Sequence, residues 1–91
     1  MGFTVYKSFP FTFHGQANNS FGPIPEVTSN SRVFASITEV LPTDPVVPFI
    51  GAAKIGIHNI APKDDHFVDM WVSCEWPADI RLQVSILVHN P

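Results

Sequence analysis

The last stretch of the chain alternates apolar and mainly polar side chains with a period of two. Five aliphatic residues occupy every second position of residues 80–88, namely Ile80, Leu82, Val84, Ile86 and Val88. The residues between them are polar except for Leu87. Successive side chains of a strand point to opposite faces, whereas helical side chains repeat every 3.6 residues. The pattern therefore predicts a half-buried β-strand with one face in the core.

Residues 67–76 show the same period. Their predicted core face consists of Val68, Met70, Val72, Cys74 and Trp76. The opposite face is polar, apart from two aromatic residues, Phe67 and Trp71. Aromatic side chains are enriched in the cores of protein interfaces. We therefore predict that Phe67 and Trp71 mark a contact between protomers.

The rest of the chain also alternates strand-like runs with turn-forming residues. Residues 32–40 and 52–61 each predict a strand, and residues 3–13 predict one or two short strands. Residues rich in Gly, Pro, Asn, Asp or Ser separate these runs at positions 14–25, 41–48, 62–65 and 77–79. No run has a helical period. Five or six short strands predict a single all-β domain over residues 1–91, either an antiparallel β-sandwich or a small barrel, with almost no helix.

Composition narrows the class of protein. Only 14% of the chain is charged, 45% is hydrophobic and the formal net charge is -3. The five cations form no patch in the sequence; they are Lys7, Arg32, Lys54, Lys63 and Arg81. Nucleic-acid binding needs clustered cations, so we expect no nucleic-acid partner. So few charges leave part of the surface neutral or apolar, which indicates an oligomer interface or a binding face.

The amino terminus has no basic segment followed by an apolar one, and the chain has no apolar run long enough to span a membrane. We therefore expect no membrane span, and either cytoplasmic synthesis or non-classical export. Cys74 is the single cysteine, so no disulfide can form within the chain. The domain must be held together by packing or by association.

The residue types that carry catalysis do not cluster in the sequence. The four histidines, His14, His58, His66 and His89, lack the short spacings of a zinc site. Cys74 lies on a predicted core face, where a thiol is usually inert. The adjacent carboxylates Asp64 and Asp65 fit a turn, and no glycine-rich loop precedes a helix. We predict no enzymatic activity, no catalytic residue, no metal and no cofactor.

Trp76 is the more informative aromatic residue, because it stands where a strand meets a turn. Asp79 and Arg81 follow at alternate positions and are expected to share a face of the last strand. An exposed aromatic ring beside a few polar groups is a common design for a small-ligand site. Alternatively, Trp76 belongs to the core, and Asp79 and Arg81 form a surface pair. The residues taken alone favour this second interpretation.

Five segments carry a family resemblance: SRVFASITEV at 31–40, KIGIHNIAP at 54–62, Phe67, SCEW at 73–76 and VSILV at 84–88. Over residues 31–90 this pattern is similar to the H-type lectin domain, the family of snail agglutinins and of the C-terminal domain of discoidins. The resemblance implies a six-stranded antiparallel β-sandwich. It also implies trimers, sometimes stacked as hexamers, that bind galactose or N-acetylgalactosamine between adjacent protomers.

The sugar-binding residues of that family carry over in part. Trp76 matches the tryptophan that lines the sugar site, and Lys54 is the cation nearest to a family arginine that contacts sugar. Pro77 replaces a residue that is often polar, and residues 14–25 offer no equivalent of an acidic contact.

The interpretation we adopt is an oligomeric carbohydrate-binding module of cell recognition. Its predicted glycan contacts are Trp76, Asp79, Arg81 and Lys54. The alternative is a structural assembly or trimerisation module, such as a fibre or a receptor-binding tip, without a sugar site. An enzyme would require a convergent cluster of His, Cys or carboxylate groups in a cleft.

Overall fold

The computed structural model describes residues 2–91 and consists of β-strands and connections. The eight strands are β1 (Gly2–Lys7), β2 (Phe11–Phe13), β3 (Gly15–Phe21), β4 (Arg32–Val40), β5 (Pro48–Phe49), β6 (Lys54–Pro62), β7 (Val68–Glu75) and β8 (Ile80–Asn90). No helix occurs within residues 2–91, and hence none that could cross a membrane. The prediction of an all-β fold is confirmed.

The strands form two sheets, and every pairing is antiparallel. The first sheet has the order β1-β8-β4-β5, with β2 also paired to β8. The second sheet has the order β3-β7-β6. Strands β8 and β7 are therefore interior strands of their sheets, with a hydrogen-bonded neighbour on each side.

The number of strands is eight, rather than the five or six predicted from the alternation or the six that the family resemblance implies. Leu82 of β8 pairs with both Phe11 of β2 and Glu39 of β4, so β2 lies on the edge of β8 opposite β4, as β1 does. The backbone N–H of Ser8 donates to the Val84 carbonyl (2.9 Å), and the Val84 N–H donates to the Ser8 hydroxyl oxygen (3.0 Å). One edge is thus interrupted between β1 and β2, and the two-residue strand β5 adds a further element.

The core lies between β7 and β8, each of which is an interior strand of its sheet. Their inward-facing residues are buried: Val68, Met70 and Val72 on β7, and Val84, Ile86 and Val88 on β8. Ile24 and Val27, from the connection between β3 and β4, complete this cluster. The alternation predicted for these two strands is confirmed, and the sheets face each other as in a β-sandwich.

Candidate ligand-binding site

A concavity of about 500 Å³ opens at the end of the second sheet where β7 finishes. Its lining residues are Gly15, Gln16, His58, Ser73, Cys74, Glu75 and Trp76. They come from all three strands of the sheet and from the turn after β7. We call this feature the Trp76 concavity.

Strand register brings the polar groups of the concavity together. Ser73 pairs with Gln16 of β3 on one side and with Gly56 of β6 on the other. The register of β6 slips between Ile57 and Asn59, and the resulting bulge inserts His58 as an extra residue. Nε2 of His58 lies 2.6 Å from Oγ of Ser73. Because a hydroxyl both donates and accepts, Ser73 keeps hydrogen-bonding capacity for a ligand.

Trp76 does not lie in the core, contrary to its place in the alternation of residues 67–76. Its backbone N–H donates to the Cys74 carbonyl at 3.0 Å, which closes a three-residue turn and ends the strand. The turn takes the indole away from the inward face, and the residue is 42% exposed. The structure thus places Trp76 on the wall of the concavity.

Asp79 immediately precedes β8, which begins at Ile80, and Arg81 lies within that strand. Oδ1 of Asp79 lies 2.5 Å from Nδ1 of His14, so the carboxylate ties the turn that carries Trp76 to the start of β3. Arg81 lies on the first sheet opposite Thr12, and its Nε is buried without a hydrogen-bond partner within residues 2–91. Neither side chain lines the Trp76 concavity.

Lys54 lies at the same end of the second sheet as Trp76. It pairs with Glu75 and lines a depression of about 160 Å³ that shares His58, Ser73 and Glu75 with the concavity. Of the four predicted sugar contacts, the structure therefore brings Trp76 and Lys54 to one surface. Lys54 itself is exposed.

Phe67 and Trp71 occupy different surroundings. Phe67 precedes β7, is half-buried, and has its ring edge close to Gly22. Trp71 lies in the middle of β7 on the outer face of the second sheet and is 43% exposed. Their predicted role in protomer contacts stays a prediction.

The ionisable groups near the second sheet have well-defined partners. The Ser20 hydroxyl donates to Asp69 and holds the pKa of that carboxyl below its ordinary value, with Nζ of Lys63 at 3.3 Å adding to the effect. Burial raises the pKa of the Cys74 thiol, with the charges of Glu39 and Asp79 adding to it. Cys74 therefore stays protonated, which weakens it as a nucleophile. Residues 2–91 contain no cluster of three His, Cys, Asp or Glu side chains placed to hold a metal ion.

A second surface carries the apolar groups that the low charge content predicts. On the outer face of the first sheet, Val5 of β1 and Phe34 of β4 flank Leu87 of β8 in register. Val5 is 72% exposed, Phe34 is 58% exposed, and Phe3 at the next outward position of β1 is 68% exposed. We call these four residues the first-sheet patch.

Sequence reasoning missed Gln16, His58 and Ser73 as site residues. Their polarity was visible, and the alternation around Cys74 already placed Ser73 on an outward face. Their convergence was not visible, because it depends on a bulge and on the pairing of strands distant in sequence. Among known proteins, no family model, curated protein or solved structure matches this chain.

Proposed function

We propose that this protein is a carbohydrate-binding module of the lectin type, with its primary site at the Trp76 concavity. One observation carries the proposal: a part-exposed indole stands beside a hydroxyl, a carboxamide, an imidazole and a carboxylate. The concavity, about 500 Å³, falls in the range of small-molecule sites, which is about 300–1,000 Å³. This volume accommodates one or two sugar rings.

The chemistry of the lining matches a sugar better than an apolar ligand. One face of a pyranose ring presents C–H groups that pack on a flat aromatic ring, and its rim presents hydroxyls that donate and accept. Trp76 offers the aromatic surface, while Gln16 and Ser73 offer both donors and acceptors. Glu75 offers only acceptors when ionised, which suits sugar hydroxyls as donors.

The family resemblance points to the class of sugar. Trp76 matches the family's sugar-lining tryptophan. Lys54 lines the neighbouring depression, which shares His58, Ser73 and Glu75 with the Trp76 concavity. We therefore propose galactose or N-acetylgalactosamine as the preferred unit. Asp79 takes a positioning role in this scheme, because its carboxylate holds the Trp76 turn through His14. The proposed activity is binding without a chemical step.

Replacing Trp76 by alanine is expected to weaken binding of galactose or N-acetylgalactosamine by about tenfold or more, which corresponds to about 1.4 kcal/mol. The loss arises because the indole supplies the apolar contact of the site. Calorimetric titration at millimolar monosaccharide measures it. The matched control is Phe9→Ala, which removes an aromatic ring that is 91% exposed and lies outside the concavity. Absence of monosaccharide binding, or equal binding by Trp76→Ala, contradicts the proposal.

The first-sheet patch favours a second candidate function, a structural assembly module. Exposed apolar residues that adjoin one another on a sheet mark protein contacts more often than isolated ones do. Phe34, Leu87 and Val5 form one row across three strands. A homo-oligomer, with the trimer or hexamer that the resemblance implies, would cover this row. The two functions are compatible, since the Trp76 concavity lies on the other sheet.

A charge placed in the first-sheet patch tests assembly separately from sugar binding. Phe34→Glu is expected to convert an oligomer into monomers, because a carboxylate cannot be buried against an apolar partner without a compensating charge. Sedimentation equilibrium measures the mass, and circular dichroism checks that the strands persist. Phe9→Glu, a substitution outside the patch, should leave the mass unchanged. A wild-type chain that sediments as a monomer up to millimolar concentration contradicts the assembly function.

A further inference from the structure

The outer face of the second sheet extends well beyond the Trp76 concavity. Strand β7 presents Asp69, Trp71, Ser73 and Glu75 on this face, since Val68, Met70, Val72 and Cys74 are buried. Because β7 is the middle strand, its outward side chains have neighbours on β3 and on β6. This face carries polar side chains and two tryptophans, whereas the first-sheet patch is entirely apolar.

Trp71 has the same type of surroundings as Trp76. In the sheet register it pairs with Asn18 of β3 on one side and with Asn59 of β6 on the other. Both asparagines are exposed, and together with Asp69 they line a depression of about 160 Å³ against the indole. Paired strands lie about 4.8 Å apart. The side chains of Asn18 and Asn59 therefore flank the Trp71 ring, within reach of the hydroxyls of a sugar that packs on it.

The spacing of the two indoles sets the length of a ligand that would reach both. The turn at Trp76 ends the strand, so four residues of extended chain, about 13 Å at about 3.3 Å per residue, run from Trp71 to Glu75, the neighbour of Trp76. One pyranose ring with its linking oxygen spans roughly 5 Å, as covalent bond lengths dictate. Three or four linked sugars therefore bridge the distance. Ser73 and its neighbour Gln16 lie between the indoles and provide hydrogen bonds along the way.

From this arrangement we infer that the second sheet binds a linear, uncharged glycan of three or four units, laid along β7 from Trp76 to Trp71. The inference rests on the proposed function, because it takes the Trp76 concavity as the first of two aromatic subsites. It assigns Trp71, Asn18 and Asn59 to a second subsite. Trp71 thereby becomes a ligand contact instead of a protomer contact.

The charge and polarity of the face select this occupant. Each carboxylate of β7 on this face has a cation beside it, Lys63 for Asp69 and Lys54 for Glu75, so the face has no excess of positive charge to attract sulfate or carboxylate groups. A second copy of the chain would bring its first-sheet patch, and apolar side chains leave the two exposed carboxamides without hydrogen bonds. Hydroxyl or N-acetyl groups of a neutral glycan satisfy carboxamides and carboxylates alike.

The test compares neutral galactose and N-acetylated hexosamine oligomers of one to six units by calorimetric titration against the full chain. We expect affinity to rise at least tenfold from the monosaccharide to the tetramer and then to level off. In Trp71→Ala this rise should disappear while monosaccharide affinity stays unchanged. Trp76→Ala should weaken binding at every length. The paired substitution Asn18→Ala with Asn59→Ala repeats the test with the indole kept, in case Trp71→Ala fails to fold.

The outcomes separate this inference from the proposed function. Monosaccharide binding that depends on Trp76 but does not strengthen with length overturns the two-subsite inference and leaves the proposed function intact. If no sugar of any length binds, both fail. Preference for sulfated or uronic-acid glycans overturns the inference. So does a Trp71→Ala variant whose affinity still rises with glycan length but whose protein mass in sedimentation falls to that of a monomer.

Discussion

Replacing Met70 by alanine is expected to lower the free energy of unfolding by about 2–5 kcal/mol. Met70 is a large, fully buried side chain at the centre of the cluster between the sheets. Truncation removes apolar contacts and leaves a cavity that an interior strand, hydrogen-bonded on both sides, fills poorly by collapse. A domain of this size has about 5–15 kcal/mol of stability in total, so the loss is a large part of it. Urea unfolding followed by tryptophan fluorescence measures the effect.

The matched control for Met70→Ala is Met70→Leu. It keeps the volume and apolar character of the side chain and should cost less than about 1.5 kcal/mol. A second comparison, Val5→Ala, shortens an exposed aliphatic residue on the outer face of the first sheet and should leave the monomer's stability nearly unchanged. Equal unfolding midpoints for Met70→Ala and Met70→Leu would show that the core does not lie where the fold places it.

The second large effect is expected from Gly22→Ala, with a destabilisation of about 1–3 kcal/mol. Gly22 has a φ of +149°, a conformation that side-chain-bearing residues rarely adopt. A Cβ there would lie 2.8 Å from the carbonyl oxygen of His66. That oxygen accepts the N–H of Ile24 at 2.8 Å, and Ile24 is part of the core. The backbone that anchors Ile24 would have to move.

Gly2→Ala provides the comparison for Gly22→Ala, since nothing lies within 4 Å of an added Cβ at residue 2. Thermal unfolding of both variants against the wild type gives the difference directly. We expect a lower melting temperature for Gly22→Ala and no change for Gly2→Ala. Two curves that coincide with the wild type would contradict the close approach between Gly22 and His66.

The strands that sequence predicted best are the two that form the core. β7 and β8 alternate cleanly because each is interior to its sheet and has one face fully buried, so burial imposes a period of two on the whole strand. The edge strands follow weaker rules. β6 keeps its apolar face only by means of the bulge at His58. The break between β1 and β2 depends on hydrogen bonds between Ser8 and Val84, which is 76 residues away in the sequence.

The candidate site was predictable to a similar, partial degree. Trp76 was identified from its place at a strand end and from the family resemblance, and Lys54 from the resemblance alone; both lie at one end of the second sheet. The three-residue turn that exposes Trp76 leaves no mark in the alternation, which places this residue inward. His58 and Ser73 meet only because two strands pair, and a one-residue slip in register would separate them.

Composition predicted that apolar surface exists without saying where. Phe34 alternates with Val33 and Ala35, so both faces of its strand carry apolar residues and the period alone does not identify the buried one. Strand pairing identifies the outward face of β4. Phe34 pairs with Leu87, and the neighbours of Leu87 on β8, Ile86 and Val88, are the buried residues. The outward position of this phenylalanine is thus a property of the sheet rather than of its own strand.

The buried thiol of Cys74 gives the molecule an internal reporter. It lies on the middle strand of the second sheet, almost without exposure, and burial raises its pKa. A covered, protonated thiol reacts with alkylating reagents only when the surrounding strands separate. With a single cysteine in the chain, the rate of alkylation reports the opening of this sheet alone. Strand β7 therefore presents the proposed glycan-binding face on its outer side and, on its buried side, carries a probe of how readily the sheet opens.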